Sequence, residues 1–343
     1  MEGIEEATLT PWLAEHVGLA PPLGFELIAG GRSNLTYRVT DARGREVALR
    51  RPPIGHVLPT AHDMAREHRI VSALGPTPVP VAETLAFCDD ESVNGAPFYV
   101  MEYVRGHVLR DKATAETEMD AAARRRASES LVDVLAALHA LDVDAVGLGD
   151  LGRREGYLSR QIERWHGQFD KSQIEGVERP VLVDEIYERL AADVPAQQGS
   201  TIVHGDYRLD NTMLGDDGSV IAVLDWELCT LGDPLADVGL LMVYWSDPGD
   251  TASALGVAPT LADGFLRRSE LQQRYAAATG RDLSGLGYYV AFGYWKLACI
   301  LQGVYARYAG GAGGGDRTTS IDGSGAHVQA LAESARSALA EIA

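Results

Sequence analysis

His204-Gly205-Asp206-Tyr207-Arg208-Leu209-Asp210-Asn211, followed by Asp225-Trp226-Glu227, is the stretch on which the reading of this chain turns. It has the form H-x-D-x-x-x-x-N, with a further Asp at the end of a second apolar run, Val220 to Leu224. Phosphoryl transfer from a nucleotide needs that order. One carboxylate must sit beside the acceptor hydroxyl, and an amide oxygen and a second carboxylate must hold Mg2+ against the phosphates.

Around the motif, Thr201-Ile202-Val203, Thr212-Met213-Leu214 and Val220 to Leu224 read as short strands. Gly215-Asp216-Asp217-Gly218 turns the last two into a hairpin. Helical spacing flanks this cluster: Leu131-Val132-Val134-Leu135-Leu138, Tyr157 to Phe169 and Val181 to Leu190 before it, and Pro234 onward through Tyr288 to Tyr308 after it. Gly310 to Gly315 reads as a flexible loop, and Val328 to Ile342 as a last amphipathic helix.

The first hundred residues read mostly as strands. Phe25 to Ala29 and Leu35 to Val39 flank the turn Gly30-Gly31-Arg32-Ser33-Asn34, and Val47 to Arg50 forms a third strand stopped by Pro52-Pro53. A helix from Thr60 to Leu74 follows, with Thr60 as its N-cap and Glu67 on the same stripe as Met64, Val71 and Leu74. Val81 to Phe87 and Phe98 to Val104 are two more strands, joined across Asn94-Gly95. The expected order is a β-rich lobe, residues 1–103, and a larger helical lobe, residues 104–343, with an embedded hairpin. Nucleotides commonly bind where two such lobes meet.

Composition narrows the partners. The formal net charge of -19 opposes nucleic acid or an anionic membrane as the main partner, since both attract basic surfaces. Cys88, Cys229 and Cys299 form no C-x-x-C pair, and so low a count fits a reducing compartment. No apolar run reaches membrane-spanning length, and the acidic start Met1-Glu2-Gly3-Ile4-Glu5-Glu6 lacks a signal-peptide core. The expectation is a soluble cytoplasmic protein.

The His204 to Asn211 string, Val223-Leu-Asp225-Trp-Glu227-Leu and Gly232-Asp-Pro-Leu-Ala-Asp237 together resemble the signature of the aminoglycoside phosphotransferase family, a small-molecule branch of the protein-kinase-like fold. Arg50-Arg51-Pro52-Pro53 and Tyr294-Trp-Lys-Leu-Ala to Gln302-Gly-Val-Tyr-Ala-Arg307 resemble one subgroup. Its members are phosphotransferase-like domains found alone in bacteria and fused to acyl-CoA dehydrogenases elsewhere. The resemblance implies an α+β, protein-kinase-like bilobal fold, ATP and Mg2+ as cofactors, and a small-molecule hydroxyl as acceptor.

It also implies roles. Asp206 is the candidate base, and Asn211 and Asp225 are the candidate metal ligands, one amide and one carboxylate being a donor set suited to Mg2+. Arg208 either neutralises the moving phosphoryl group or pairs with Asp210. Glu227 belongs to the metal shell, to the acceptor site or to solvent. His204 and Asp237 brace the loop. Kinase-like enzymes pair a strand Lys with a helix Glu around the nucleotide phosphates. Here the strand offers Arg50, which alternation places on one face with Ala48, and the helix offers Glu67; Arg51 is the alternative cation. Gly31, Ser33 and Asn34 are candidates for the phosphate-covering turn. Glu102 and Tyr103 stand at the expected link between lobes, against an adenine edge. Two rival readings remain, a protein kinase and a non-catalytic nucleotide-binding scaffold. Asp225-Trp226-Glu227 in place of D-F-G and the short run to Pro234 oppose the first, and the intact acidic set opposes the second.

Overall fold

The computed structural model describes residues 1–28, 34–54, 63–174, 177–250, 258–309 and 324–342. The chain opens with a helix, α1 (Glu6–His16), in a stretch to which the sequence reading assigned no element. Pro11 sits inside it and removes an internal donor, so the helical period is interrupted. Leu9 and Leu13, one turn apart, are nonetheless fully buried.

Three strands follow, β1 (Gly24–Leu27), β2 (Leu35–Thr40) and β3 (Glu46–Arg51), then α2 (Met64–Leu74), β4 (Thr84–Cys88), a single turn α3 (Glu91–Asn94) and β5 (Phe98–Glu102). The strands form one sheet in the order β1-β2-β3-β5-β4, with every neighbouring pair antiparallel. Strand period puts Val47 and Leu49 into the cluster beneath α1, with Val39, Phe98 and Val100. The opposite face carries Ala48 and Arg50.

α2 begins at Met64, where its apolar stripe starts, and its cap is not the Thr60 read from the sequence. Asp63 caps it, accepting from the Arg66 amide at 2.9 Å, and Thr60 lies outside the described residues. Met64, Glu67, Ile70, Val71 and Leu74 form its buried face.

The larger lobe is helical: α4 (Lys112–Glu118), α5 (Ala121–Ala140), α6 (Tyr157–Lys171) and α7 (Val181–Ala192) precede the motif. Next come β6 (Thr201–Val203), β7 (Thr212–Leu214), β8 (Val220–Val223) and β9 (Thr230–Gly232). β7 and β8 form the expected hairpin. β9 pairs with β6 and was not legible, being three residues without alternation. The lobe ends with α8 (Leu235–Tyr244), α9 (Arg268–Thr279), α10 (Leu286–Ala309) and α11 (Ser324–Glu341). α8 is buried from Leu235 to Val243 and forms the axis of the lobe, and α10 and α11 pack together at its far side. The glycine-rich run Gly310 to Gly315 lies outside the described residues. No helix among the described residues is long and apolar enough to cross a membrane.

Candidate active site

A cavity of about 450 Å3 separates the lobes, within the size range of small-ligand sites. Its lining includes Ala48, Arg50 and Met101 from the sheet and Asn211, Asp225 and Trp226 from the motif.

Arg50 is the centre of the upper side. The registers of β2 and β5 set Thr36 and Tyr99 beside it. Its Nε lies 2.8 Å from Glu67 Oε1, and its terminal nitrogen lies 2.6 Å from Asp225 Oδ1. One planar fork therefore ties strand, helix and motif together, which a single ammonium point charge cannot do. Burial opposes the Arg50 charge, but Glu67, Tyr99 and Asp225 outweigh it and hold its pKa above the ordinary value. Burial pushes the Glu67 carboxyl up, and Arg50 pulls it back. Arg51 points to the opposite face, where it donates to the Gly3 and Asn94 carbonyls, so it has no part in the cleft. Asn34 donates to Glu67 Oε2 at 3.4 Å and to Glu227 Oε2 at 3.3 Å. Gly31 and Ser33 lie outside the described residues.

The lower side is the motif loop. Gly205 has φ 85°, and a Cβ there would stand 2.9 Å from both Leu228 Cβ and the Leu228 carbonyl oxygen, so only glycine fits. Asp237 accepts from the amides of His204 at 2.7 Å and Gly205 at 2.8 Å. Burial would raise its pKa, but His139, His204 and the Gly205 N–H reverse this and lower it. The His204 ring bridges Leu224 O at 2.9 Å and the Asp206 amide at 3.2 Å. The Asp206 N–H donates to Nδ1, so Nε2 carries the ring proton and donates to Leu224 O. His204 thus joins the loop to the end of β8.

Asp206 is held from two sides. Tyr244 donates its hydroxyl to Oδ1 at 3.0 Å, and Asn211 donates its amide to Oδ2 at 2.8 Å. Asn211 also donates to the Asp206 carbonyl, so its amide nitrogen is fully occupied and its Oδ1 is the end left for a ligand. Asp225 has φ 62°, the one positive value at a non-glycine among the described residues. That conformation costs roughly 1–2 kcal/mol. Strain of this kind clusters at functional sites. With Oδ1 on Arg50 and no described hydrogen bond on Oδ2, Asp225 and Asn211 offer one carboxylate and one amide oxygen on one cavity. That donor set fits Mg2+.

Arg208 makes the pairing with Asp210 that was one of the two readings for it. It lies 3.4 Å from Asp206 Oδ2 and 3.1 Å from Asp210 Oδ2, while its guanidinium stacks 4.6 Å from the Tyr244 ring centre. Its buried Nε has no hydrogen-bond partner. Glu227 lines a second cavity of about 390 Å3, which adjoins the first through Asn34, Glu67 and Trp226. Glu102 and Tyr103 line the first cavity, but the Glu102 amide already donates to Glu83 O at 2.8 Å. Its carboxylate pairs with Arg45 at 2.9 Å.

Tyr244, Thr36 and Lys296 were not singled out as site residues by sequence reasoning. Tyr244 ends an apolar helix and reads as core, while Lys296 lies inside the Tyr294-Trp-Lys string without any pattern of its own. Away from the cleft, His166, Asp170 and Asp184 come within metal-binding reach of one another. Arg179 spans both carboxylates at 2.5 Å, so this is an ion-pair network.

Comparison with known proteins agrees with this geometry. The profile of the family described as "Phosphotransferase enzyme family" matches residues 24–281. Acyl-CoA dehydrogenase family member 10 of Mus musculus is 35% identical over 290 residues, which are 81% of this chain and 26% of that protein. The chain therefore spans about a quarter of that relative. A Ralstonia eutropha crystal structure, provisionally assigned as an aminoglycoside phosphotransferase, is 34% identical with a TM-score of 0.80, covering 98% of this chain and 99% of that one. Aminoglycoside phosphotransferase APH(4)-Ia, in complex with AMP-PNP and hygromycin B, shares the fold at 17% identity and a TM-score of 0.61, over 94% of this chain and 97% of that one.

Proposed function

The chain belongs to the phosphotransferase enzyme family, and from that premise we propose that it transfers the γ-phosphate of ATP to a hydroxyl of a small molecule, with Mg2+ as cofactor. The observation that carries this reading is the convergence of Asn211, Asp225 and Arg50 on one interlobe cavity, with Asp206 hydrogen-bonded to Asn211 beside it. Asp206 accepts the proton of the acceptor hydroxyl and orients its oxygen for in-line attack. The Tyr244 hydroxyl occupies one Asp206 oxygen in the same way that an alcohol would, which supports that role. Asn211 and Asp225 hold the metal, which when bound neutralises charge on the phosphate oxygens. Arg50 grips the phosphates and Glu67 aims it. Arg208, which lines the cavity beside Asp206, stabilises the transferring group.

The cavity between Ala48, Met101 and Tyr103 takes the adenine, and the acceptor enters from the helical lobe. Residues 1–103 act as the nucleotide lobe and 104–343 as the catalytic and acceptor lobe. Similarity to acyl-CoA dehydrogenase family proteins favours a hydroxylated metabolite, such as a hydroxyacyl thioester, over an aminoglycoside. The test is transfer of labelled phosphate from ATP to a panel of hydroxylated metabolites, by wild type and by Asp206→Ala. Transfer by the wild type that Asp206→Ala abolishes supports the reading. Nucleotide binding without transfer to any acceptor, unchanged in Asp206→Ala, replaces it with a non-catalytic scaffold.

A further inference from the structure

One cation lies against the back of the motif loop without a part in the reaction outlined above. Lys296 stands in the middle of α10 and is only 7% exposed. Its ammonium donates to the carbonyl of Gly205 at 2.7 Å and lies 5.5 Å from the centre of the Trp165 ring. Among the described residues no carboxylate forms an ion pair with it. The charges that reach it are Asp206 and Asp237, which favour its protonated form, and Arg164, which opposes it. Burial is the larger influence and lowers its pKa.

A buried ammonium with one hydrogen bond is costly compared with an apolar side chain of equal length. Packing alone would be better served by methionine or leucine, so the charge needs another reason. The contacts of Gly205 supply it. This residue is gripped on both sides by opposite charges, its N–H by Asp237 at 2.8 Å and its carbonyl by Lys296 at 2.7 Å. It stands at φ 85°, where backbone freedom is greatest. The Gly205 carbonyl belongs to the same peptide plane as the Asp206 N–H, which the His204 ring accepts at 3.2 Å. Fixing that carbonyl fixes the rotation of the plane from which the Asp206 side chain departs.

We propose that Lys296 is a positioning residue for Asp206: its buried ammonium holds the Gly205–Asp206 peptide in the orientation that points the carboxylate at Tyr244 and Asn211. The proposal rests on Asp206 being the base, so it is tested with a readout independent of turnover as well as with turnover itself. Lys296→Met keeps the length and removes the charge and donor. It is expected to fold with a melting temperature at or above that of the wild type, and to bind ATP unchanged. Amide exchange in the segment around His204 to Arg208 rises, while exchange in β3 and α2 stays the same. Turnover falls by about 100-fold at unchanged KM, the size of effect that a small misplacement of a catalytic group produces. Lys296→Arg restores part of it, because it keeps a buried donor and charge.

Wild-type turnover in Lys296→Met, or unchanged exchange in the loop, overturns the proposal. If Lys296→Met does not fold, Lys296→Leu, which also removes the charge and the donor, decides by the same two readouts. Reduced kcat with a loosened loop and unchanged KM supports the proposal, and wild-type values for both overturn it. If the wild type itself transfers phosphate to nothing, the functional reading fails, and the exchange measurement still judges Lys296.

Discussion

Glu67→Gln removes one charge from the centre of the smaller lobe with almost no change in volume. Glu67 is 3% exposed. Its Oε1 lies 2.8 Å from Arg50 Nε and accepts from the Tyr99 hydroxyl at 3.3 Å, and its Oε2 accepts from Asn34 at 3.4 Å. At an effective dielectric near 20, a charge pair at that separation attracts by about 6 kcal/mol before any offset. Much of this is cancelled, because a buried glutamine bears no charge-desolvation penalty. What remains is donor geometry. If the amide oxygen takes the Arg50 and Tyr99 side, its NH2 meets the NH2 of Asn34. Asn34 cannot turn its oxygen toward that group without presenting the same oxygen to Glu227, to which it now donates at 3.3 Å. One buried donor is left facing another, at about 1–3 kcal/mol. The expected net destabilisation is about 2–3 kcal/mol. Arg50 then settles on Asp225 alone, and ATP affinity falls by about tenfold, equivalent to 1.4 kcal/mol. Urea unfolding, amide exchange in β3 and α2, and calorimetric titration with ATP measure the three effects. Glu67→Gln with wild-type unfolding and wild-type ATP affinity refutes the argument that this carboxylate aims Arg50.

Asp206→Asn keeps an oxygen acceptor for Tyr244 and removes the proposed base; turnover is expected to fall by about 10²–10⁴-fold with nucleotide affinity intact, read by calorimetry and labelled-phosphate transfer. Gly205→Ala places a Cβ at 2.9 Å from Leu228 at a left-handed φ, so thermal unfolding should show a loss of roughly 1–3 kcal/mol. The folded-state pKa of Asp237 is depressed, so its stabilisation is complete above the unfolded carboxylate value of about 3.9 and is lost as pH falls below it through the folded value. Asp237→Asn should therefore be less stable at neutral pH and show a shallower acid limb when unfolding is followed as pH is lowered. Burial pushes the thiols of Cys88, Cys229 and Cys299 up, so a disulfide reagent should label none of them in the native protein and all of them after unfolding.

Much of the fold was legible because its signals are local. Val47 to Arg50 alternates, Gly215 to Gly218 closes a hairpin, and the late helices repeat at helical spacing. Where the local signal failed, the structure supplied the element. α1 carries Pro11 within it, and β9 is too short to alternate, so each is held by its partners, the sheet core in one case and β6 in the other. The stripe of α2 was read correctly from Met64, but its cap was not: the first turn is set by Asp63 reaching the Arg66 amide.

The candidate site divides along the same line. The sequence by itself singled out the candidate side chains, because Asp206, Asn211 and Asp225 stand at a spacing that one loop and one strand end can present together. It also determined that Glu67 needed a cation, since a carboxylate on an apolar helix face is costly without one. Only the tertiary structure decided which cation, when β3 turned Arg50 toward Glu67 and Arg51 toward Gly3 and Asn94. Only it brought Tyr244 to Asp206 and Lys296 to Gly205, across 38 and 91 residues of chain. Those contacts join helices to a loop at positions that no period marks. Spacing in a sequence records which residues share an element's face, while a contact between elements depends on how those faces pack.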